Sequence, residues 1–311
     1  MNEIITINTE NYASMAKAMG LPTPSLGEKK TNILNRFRVW HQPTMGKDIN
    51  SKGKEITTEV VDGGMYRLEV VGDRPAFYFA EKVKFRPFLQ RFMYKKYTQF
   101  NNVKPGEKKG DYCKTIMADN LNMDLKDTSG TFNCGKPAGY VEDFHALPEA
   151  TKILIKSIKR NRVVFGVVEL INPVKGIDGK EVEDLSTFPV IWEIDNNDAF
   201  KALGEVYTKL ARMERLPLQH NIELNGTNSH STNTGSNYYT PIVNLDLTTK
   251  LDITEEDHKL FGNFMDWIKS NNDYTITKWE EAVAKKQDAI SDEDRDTVND
   301  FIDVEVDNEN V

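Results

Sequence analysis

The segment of residues 163–171 constrains the fold of this chain more than any other part of the sequence. Its residues are nearly all apolar, and most of them are β-branched. Such a run is typical of a strand that is buried on both faces, rather than of a strand with one face in water. A strand of this kind needs partners on either side, so the sequence predicts a β-rich domain.

The segments around this strand predict the rest of the architecture. Residues 55–247 supply about eight to ten short strands, with helical patterns only at residues 148–160 and 199–213. Gly-rich and Asn-rich residues 226–237 predict a flexible loop. A Greek-key barrel of the OB type with long insertions fits this run of strands, and a β-sandwich fits nearly as well. Two helices are predicted after residue 250, which makes the fold class β-rich α+β.

A second pattern, in residues 83–97, alternates basic and aromatic side chains without any acid. A groove for single-stranded nucleic acid needs this combination, because cations follow the phosphates while aromatic faces stack on bases. The alternative is a strand with basic edges whose aromatic side chains belong to the core. Pro87 predicts a bulge or an edge position. The candidate binding residues are Lys84, Phe85, Arg86, Phe88, Arg91, Phe92, Tyr94, Lys95, Lys96 and Tyr97.

Further bases follow in two other segments, and both can widen the same positive surface. One is a polar loop with the short strand after it, and the other is a predicted basic helix that reaches residue 162. A charge run is also a common solvated surface, so this alternative stays open. The additional candidates are Lys108, Lys109, Lys114, Lys156, Lys159, Arg160 and Arg162.

The formal charge of −8 is concentrated at one end of the sequence. Residues 287–311 contain ten acids and one base, which gives −9 and leaves about +1 for the rest of the chain. A segment with so few apolar residues is predicted to be disordered. We therefore divide the chain into an N-terminal arm (1–54), an OB-like nucleic-acid-binding core (55–250), a C-terminal helical segment (251–286) and a disordered acidic tail (287–311).

The sequence lacks the standard motifs for catalysis and cofactor binding. The sequence contains no Walker motif, no Gly-x-Gly-x-x-Gly motif and no His-Glu-x-x-His motif. A zinc site from Cys113, Cys134 and His145 is conceivable, but its spacing matches no standard finger or ribbon. Asp124 and Asp127 can also be read as a nuclease metal pair, although two acids in a polar loop are more often turn residues. We expect no catalytic residue, no metal and no cofactor.

The cellular setting is predicted from what the sequence lacks. No run of eighteen apolar residues suggests a membrane helix, and the first residues do not resemble a secretory signal. Two cysteines do not form a disulfide framework. A reducing cytoplasm is the expected compartment, with no membrane partner.

The strand-rich middle, the basic and aromatic segment 83–97 and the acidic tail together resemble the single-stranded DNA-binding proteins of tailed phages. The resemblance implies an OB-type barrel that coats and protects single-stranded DNA non-specifically during phage replication, recombination and repair. It also implies that the tail contacts phage replication proteins. The chain lacks a tight Cys/His cluster and ends in Asn308 to Val311 without an aromatic tip. The alternative function is a phage structural or assembly protein whose basic patches are subunit contacts.

Overall fold

Strands dominate the computed structural model, which describes residues 34–49, 51–72, 74–100, 106–139, 141–183, 185–232 and 235–288. The strands are β1 (Asn35–Val39), β2 (Thr44–Ile49), β3 (Glu55–Val61), β4 (Tyr66–Val70), β5 (Ala76–Ala80), β6 (Lys82–Gln99), β7 (Gly110–Lys114), β8 (Ile158–Ile171), β9 (Val174–Lys175), β10 (Phe188–Ile194), β11 (Ile222–Ser231) and β12 (Asn237–Leu245). The α-helices are α1 (Glu149–Ser157), α2 (Asn197–Arg212) and α3 (Glu255–Asp288).

Ten strands form one mixed sheet in the order β12-β11-β6-β8-β10-β1-β4-β5-β9, with β7 paired to the far end of β6. Only β1 and β10 pair in parallel among these strands. The β-rich α+β class is therefore confirmed. The described residues contain no closed barrel, so the predicted OB-type barrel is not confirmed.

The sheet is curved strongly enough for distant strands to contact one another. The Tyr66 hydroxyl on β4 donates to the Gly226 carbonyl on β11 at 2.7 Å, and Thr227 Oγ1 donates to the Gly64 carbonyl at 2.8 Å. These strands are separated by β6, β8, β10 and β1 in the sheet order. The main core fills the concave side, where Phe37, Tyr66, Phe85 and Trp192 pack with one face of α2.

A second core lies on the opposite face of the sheet, under α3. Phe88 of β6 and Phe165 of β8 contact Phe264 of α3, with ring centroids 5.7 and 5.6 Å apart. Both faces of β8 are consequently buried over residues 163–166, as predicted, while Val167, Glu169 and Ile171 on one face are partly exposed. A third, smaller core joins Tyr94 to Leu125 in the loop after β7.

Helix α3 is one continuous helix, whereas the sequence analysis predicted two. The junction between the predicted helices contains Asn272, whose side chain accepts from the Met117 amide at 2.7 Å and donates to the Met117 carbonyl at 2.9 Å. A polar residue that suggested a break therefore attaches the helix to the sheet. The helix ends at Asp288, and the remaining tail residues, 289–311, lie outside the described residues.

Two other local predictions are corrected by the structure. Residues 158–162 belong to strand β8 rather than to a basic helix, because they pair with β6. The predicted loop at 226–237 is largely strand, formed by the pairing of β11 with β12. Strand β1 places residues 35–39 inside the sheet, before the predicted core boundary at residue 55.

Candidate nucleic-acid interface

Whether a side chain in segment 83–97 is buried or exposed depends on what packs against its face of β6. Side chains alternate between the two faces of β6, with one irregularity between Pro87 and Leu89, where the bulge was predicted. The main core takes Phe85, which is fully buried, and the core under α3 takes Phe88. Tyr94 is also buried, and its hydroxyl donates to the Leu121 carbonyl. These three aromatic side chains were predicted to be binding candidates, but they cannot stack on bases because the cores enclose them.

Arg86 has a structural partner instead of a free guanidinium. Its two terminal nitrogens donate to both carboxylate oxygens of Asp257, each at 2.9 Å, and its Nε donates to the Leu218 carbonyl at 2.7 Å. Burial raises the pKa of Asp257. Hydrogen bonds from Thr254 and the charge of Arg86 lower this pKa by a larger amount, so the net shift is downward. The pair fixes the first turn of α3 to the sheet.

Two other bases in the segment also have acidic neighbours. Arg91 approaches Asp119 at 3.1 Å and donates to the Gln90 carbonyl. Lys84 is exposed, but it lies opposite Glu169 on β8 and Glu223 on β11. Positive charge in this first half of β6 is thus largely balanced by carboxylates.

The far end of β6 has a different environment, because β7 pairs with it there. Tyr97 and Tyr112 are direct cross-strand neighbours, with ring centroids 4.9 Å apart. Their exposed fractions are 45% and 57%, so both rings present apolar surface to solvent. Gly110 permits this placement, since a Cβ at that position would lie 2.4 Å from the Tyr97 hydroxyl oxygen.

Lysines surround this tyrosine pair on the same face of the sheet. Lys95 and Lys114 are cross-strand neighbours two residues along the strands from the tyrosine pair, and Lys159 lies opposite Lys95 on β8. Helix α3 adds Tyr274, which is 56% exposed and whose ring centroid lies 5.9 Å from the Lys114 Nζ. We call this set the lysine–tyrosine surface; it consists of Arg36, Lys95, Tyr97, Tyr112, Lys114, Lys159 and Tyr274.

The electrostatics of the surface are unbalanced in favour of positive charge. Burial lowers the pKa of Lys114, and the charges of Lys95 and Arg36 lower it further, while Glu193 acts in the opposite direction. The Lys95 ammonium is paired with Glu193, and Lys114 Nζ donates to the Asn271 side chain at 3.2 Å. The four cations of the surface thus outnumber the two acids beside them, which are Glu193 and the cross-strand neighbour of Arg36, Glu69. An added anion would stabilise this arrangement.

The other predicted residues lie elsewhere. Lys96 points to the opposite face and donates to the Cys134 carbonyl at 3.4 Å. Lys108 pairs with Asp111 at 2.8 Å. Lys109 and Lys156 are exposed, and the guanidinium of Arg160 lies 5.4 Å from the Phe200 ring centroid. Phe92 and Arg162 are also on the opposite face, where they border a recess beside α2.

Three members of the lysine–tyrosine surface are not among the candidate residues predicted from the sequence. Tyr112 is recognisable only once the β6–β7 register is known, because nothing in the sequence pairs it with Tyr97. Arg36 reaches the surface through the pairing of β1 with β10. Tyr274 depends on the position of α3, and the sequence carries no signal for it.

The cysteines form a cluster that differs from the zinc site considered above. The ligand atoms of Cys113, Cys134 and Asp127 lie within 4.8 Å of one another, and His145 is not part of the group. The side-chain hydrogen bond with Cys134 lowers the pKa of Cys113 to about 7. Hydrogen bonds engage both carboxylate oxygens of Asp127, so this side chain organises its loop. The donors are the amides of Ser129, Thr131 and Cys134 and the hydroxyls of Ser129 and Thr131.

Asp124 accepts a hydrogen bond from the Asn133 side chain at 3.2 Å and is not part of the cluster formed by Cys113, Asp127 and Cys134. Among the described residues, no helix has the length and apolar character needed to cross a membrane. Comparisons of the chain with known protein families, with curated proteins and with solved structures give no match.

Proposed function

We propose that this protein binds single-stranded nucleic acid without sequence preference and coats single-stranded DNA during phage DNA replication, recombination and repair. The observation that carries the proposal is the pair of exposed tyrosines, Tyr97 and Tyr112, flanked by Lys95, Lys114 and Lys159 on one face. Exposed aromatic rings beside unbalanced cations are the two components that a single-strand groove requires.

The chemistry of binding follows from these side chains. The ammonium groups neutralise phosphates and release their condensed counterions, which makes affinity fall with salt. Bases that are not paired in a duplex stack on the tyrosine rings, and this interaction is worth about 1–3 kcal/mol per base. Neither interaction reads a base edge, so the protein would accept any sequence.

The phage setting of the proposal comes from the sequence resemblance. In that setting the curved sheet is an incomplete barrel of the OB type, the compartment is the cytoplasm of the host, and the tail of residues 287–311 contacts replication proteins. The tail's charge of −9 suits it to compete with DNA for a positive surface.

The test uses two matched double variants and fluorescence anisotropy with a labelled (dT)30 strand. Tyr97→Ala/Tyr112→Ala removes both rings, and we expect affinity to fall roughly 5- to 150-fold for each stacked base lost. Tyr97→Phe/Tyr112→Phe keeps both rings and should bind nearly as the wild type does. Equal affinity of wild type and the alanine variant, with both folded by circular dichroism, would refute the proposal.

One observation favours the alternative function, an assembly protein. The hairpin of β2 and β3 forms a separate two-stranded sheet, on which Met45 is 56% exposed and Ile56 is 40% exposed. Exposed apolar side chains of this kind are suited to subunit contacts. An assembly protein would form regular oligomers without DNA, and Met45→Ser/Ile56→Ser would dissociate them in analytical ultracentrifugation while leaving (dT)30 binding unchanged.

A further inference from the structure

A recess of about 400 Å³ lies between β6, β8 and α2, on the face of the sheet opposite the lysine–tyrosine surface. Phe92 and Lys95 are an odd number of residues apart on β6, without an irregularity between them, which places their side chains on opposite faces. The recess is bordered by Phe92, Arg162 and Gln90 from the sheet and by Lys201 and Tyr207 from α2. It is therefore separate from the surface assigned to base stacking.

Arg162 is the unusual side chain in this recess. Only 7% of the residue is exposed, and its guanidinium lies 5.0 Å from the Phe92 ring centroid and 4.5 Å from that of Phe200. Its Nη1 donates to the Gln90 side chain, but no carboxylate of the described residues lies within 4.0 Å. A buried cation without an anion is strongly unfavourable. The site therefore lacks its counter-charge.

A second buried group beside Arg162 also lacks a partner. Both the Arg162 Nε and the Tyr207 hydroxyl are buried without a hydrogen bond in the described part of the chain. Buried polar groups are normally paired, so two unpaired donors at one recess point to a missing acceptor. Gly204 of α2 provides the space for the guanidinium, since a Cβ there would lie 2.7 Å from the Arg162 Nη2.

We propose that this recess binds a phosphate group, either of a nucleotide or of a nucleic-acid strand. Arginine matches phosphate oxygens through several N–H donors, and its stacking on aromatic rings holds those donors in one orientation. Lys201 adds a second cation at the edge, and Thr208 adds a hydroxyl. Glu205 is the only acid among the lining residues, so their net charge is +1. Because the recess opens on the other face, this proposal does not depend on the lysine–tyrosine surface.

The experiment measures binding of inorganic phosphate, thymidine monophosphate and unphosphorylated thymidine to the full chain by isothermal titration calorimetry. Both phosphate compounds should bind saturably, and thymidine should not. Lys201→Gln should weaken binding at least threefold, whereas Lys209→Gln on the same helix, outside the recess, should leave it unchanged. Arg162→Met should abolish binding, and a melting curve shows whether this variant folds. If it does not fold, the comparison of Lys201→Gln with Lys209→Gln decides whether the recess binds phosphate.

The source of the phosphate is distinguished with (dT)20. If the small compounds do not bind but (dT)20 affinity falls in Lys201→Gln and not in Lys209→Gln, the recess holds a strand phosphate. Saturable binding of the monophosphate that is sensitive to Lys201 identifies a nucleotide site. The proposal is overturned if no probe distinguishes the two lysine variants. The Tyr97→Ala/Tyr112→Ala variant separates this outcome from failure of the proposed function, because it affects only the other face.

Discussion

The two halves of β6 have nearly the same composition but different roles. In the first half, Phe85 and Phe88 enter two different cores, and Arg86 is held by Asp257. In the second half, Tyr94 is still enclosed by the third core, but Tyr97 near the end of the strand is exposed to solvent beside Lys95. The comparison shows that an alternation of basic and aromatic residues does not define a binding groove. The layers packed on the strand decide which residues remain available.

The largest expected difference between the halves is in stability. Phe85→Ala removes a fully buried ring between Phe37 and Trp192 and should lower the free energy of unfolding by about 3–5 kcal/mol. Tyr97→Ala removes a ring that is 45% exposed and should cost about 1 kcal/mol or less. Chemical denaturation of both variants measures this contrast. Similar losses would mean that both halves of β6 are structural.

The next largest effect concerns the basic side chains of β6. We expect their contributions to stability to differ, as those of the aromatic side chains do. Arg86→Gln leaves the Asp257 carboxylate partly buried without its cation and should lower stability by about 2–3 kcal/mol. Lys84→Gln is the matched control, because its exposed pair with Glu169 is worth at most about 1 kcal/mol. Equal losses from the two variants would contradict a structural role specific to Arg86.

The same pair gives a dependence on pH with a defined sign. The folded-state pKa of Asp257 lies below its ordinary value, so its carboxylate stabilises the fold fully above the unfolded pKa of about 3.9. This contribution is lost as the pH falls below about 4 and through the folded pKa. The wild type should therefore lose stability more steeply below pH 4 than Arg86→Gln does. Urea denaturation at a series of pH values tests this difference.

The sequence predicted the sheet better than it predicted which residues form the lysine–tyrosine surface. The doubly buried β8 was evident from apolar composition, and the bulge near Pro87 followed from the missing amide of proline. The continuity of α3 was not predictable, because Asn272 is stabilised by Met117, far away in sequence. The lysine–tyrosine surface combines four strands and a helix, so its membership depends on register and packing. Single segments carry neither piece of information.

A smaller effect, at the lysine–tyrosine surface, concerns salt. If Lys114 contacts a phosphate, Lys114→Gln should reduce the slope of log affinity against log salt by about 0.7 for a single strand. Lys175→Gln, on β9 at the opposite end of the sheet order, is the control and should leave the slope unchanged. Titrations of (dT)30 between low and moderate salt provide both slopes. A slope that is insensitive to Lys114 would remove this residue from the interface.

The smallest expected effect comes from the acidic tail. Deleting residues 287–311 removes a charge of −9 and should tighten single-strand binding by a few fold at low salt, where screening is weakest. The tail added as a separate peptide should compete much less well, because it lacks the high effective concentration of a tethered segment. Unchanged affinity after the deletion would leave the tail without a part in DNA binding.

Photocrosslinking tests the central claim most directly, because it reports which side chains touch the bases. The wild-type protein is irradiated in complex with a strand containing 5-iodouracil, and the crosslinked peptides are identified by mass spectrometry. We predict crosslinks at Tyr97, Tyr112 or Tyr274, with none at the buried Phe85 or Phe88. Crosslinks confined to other regions of the chain would contradict the assignment of the lysine–tyrosine surface as the binding site.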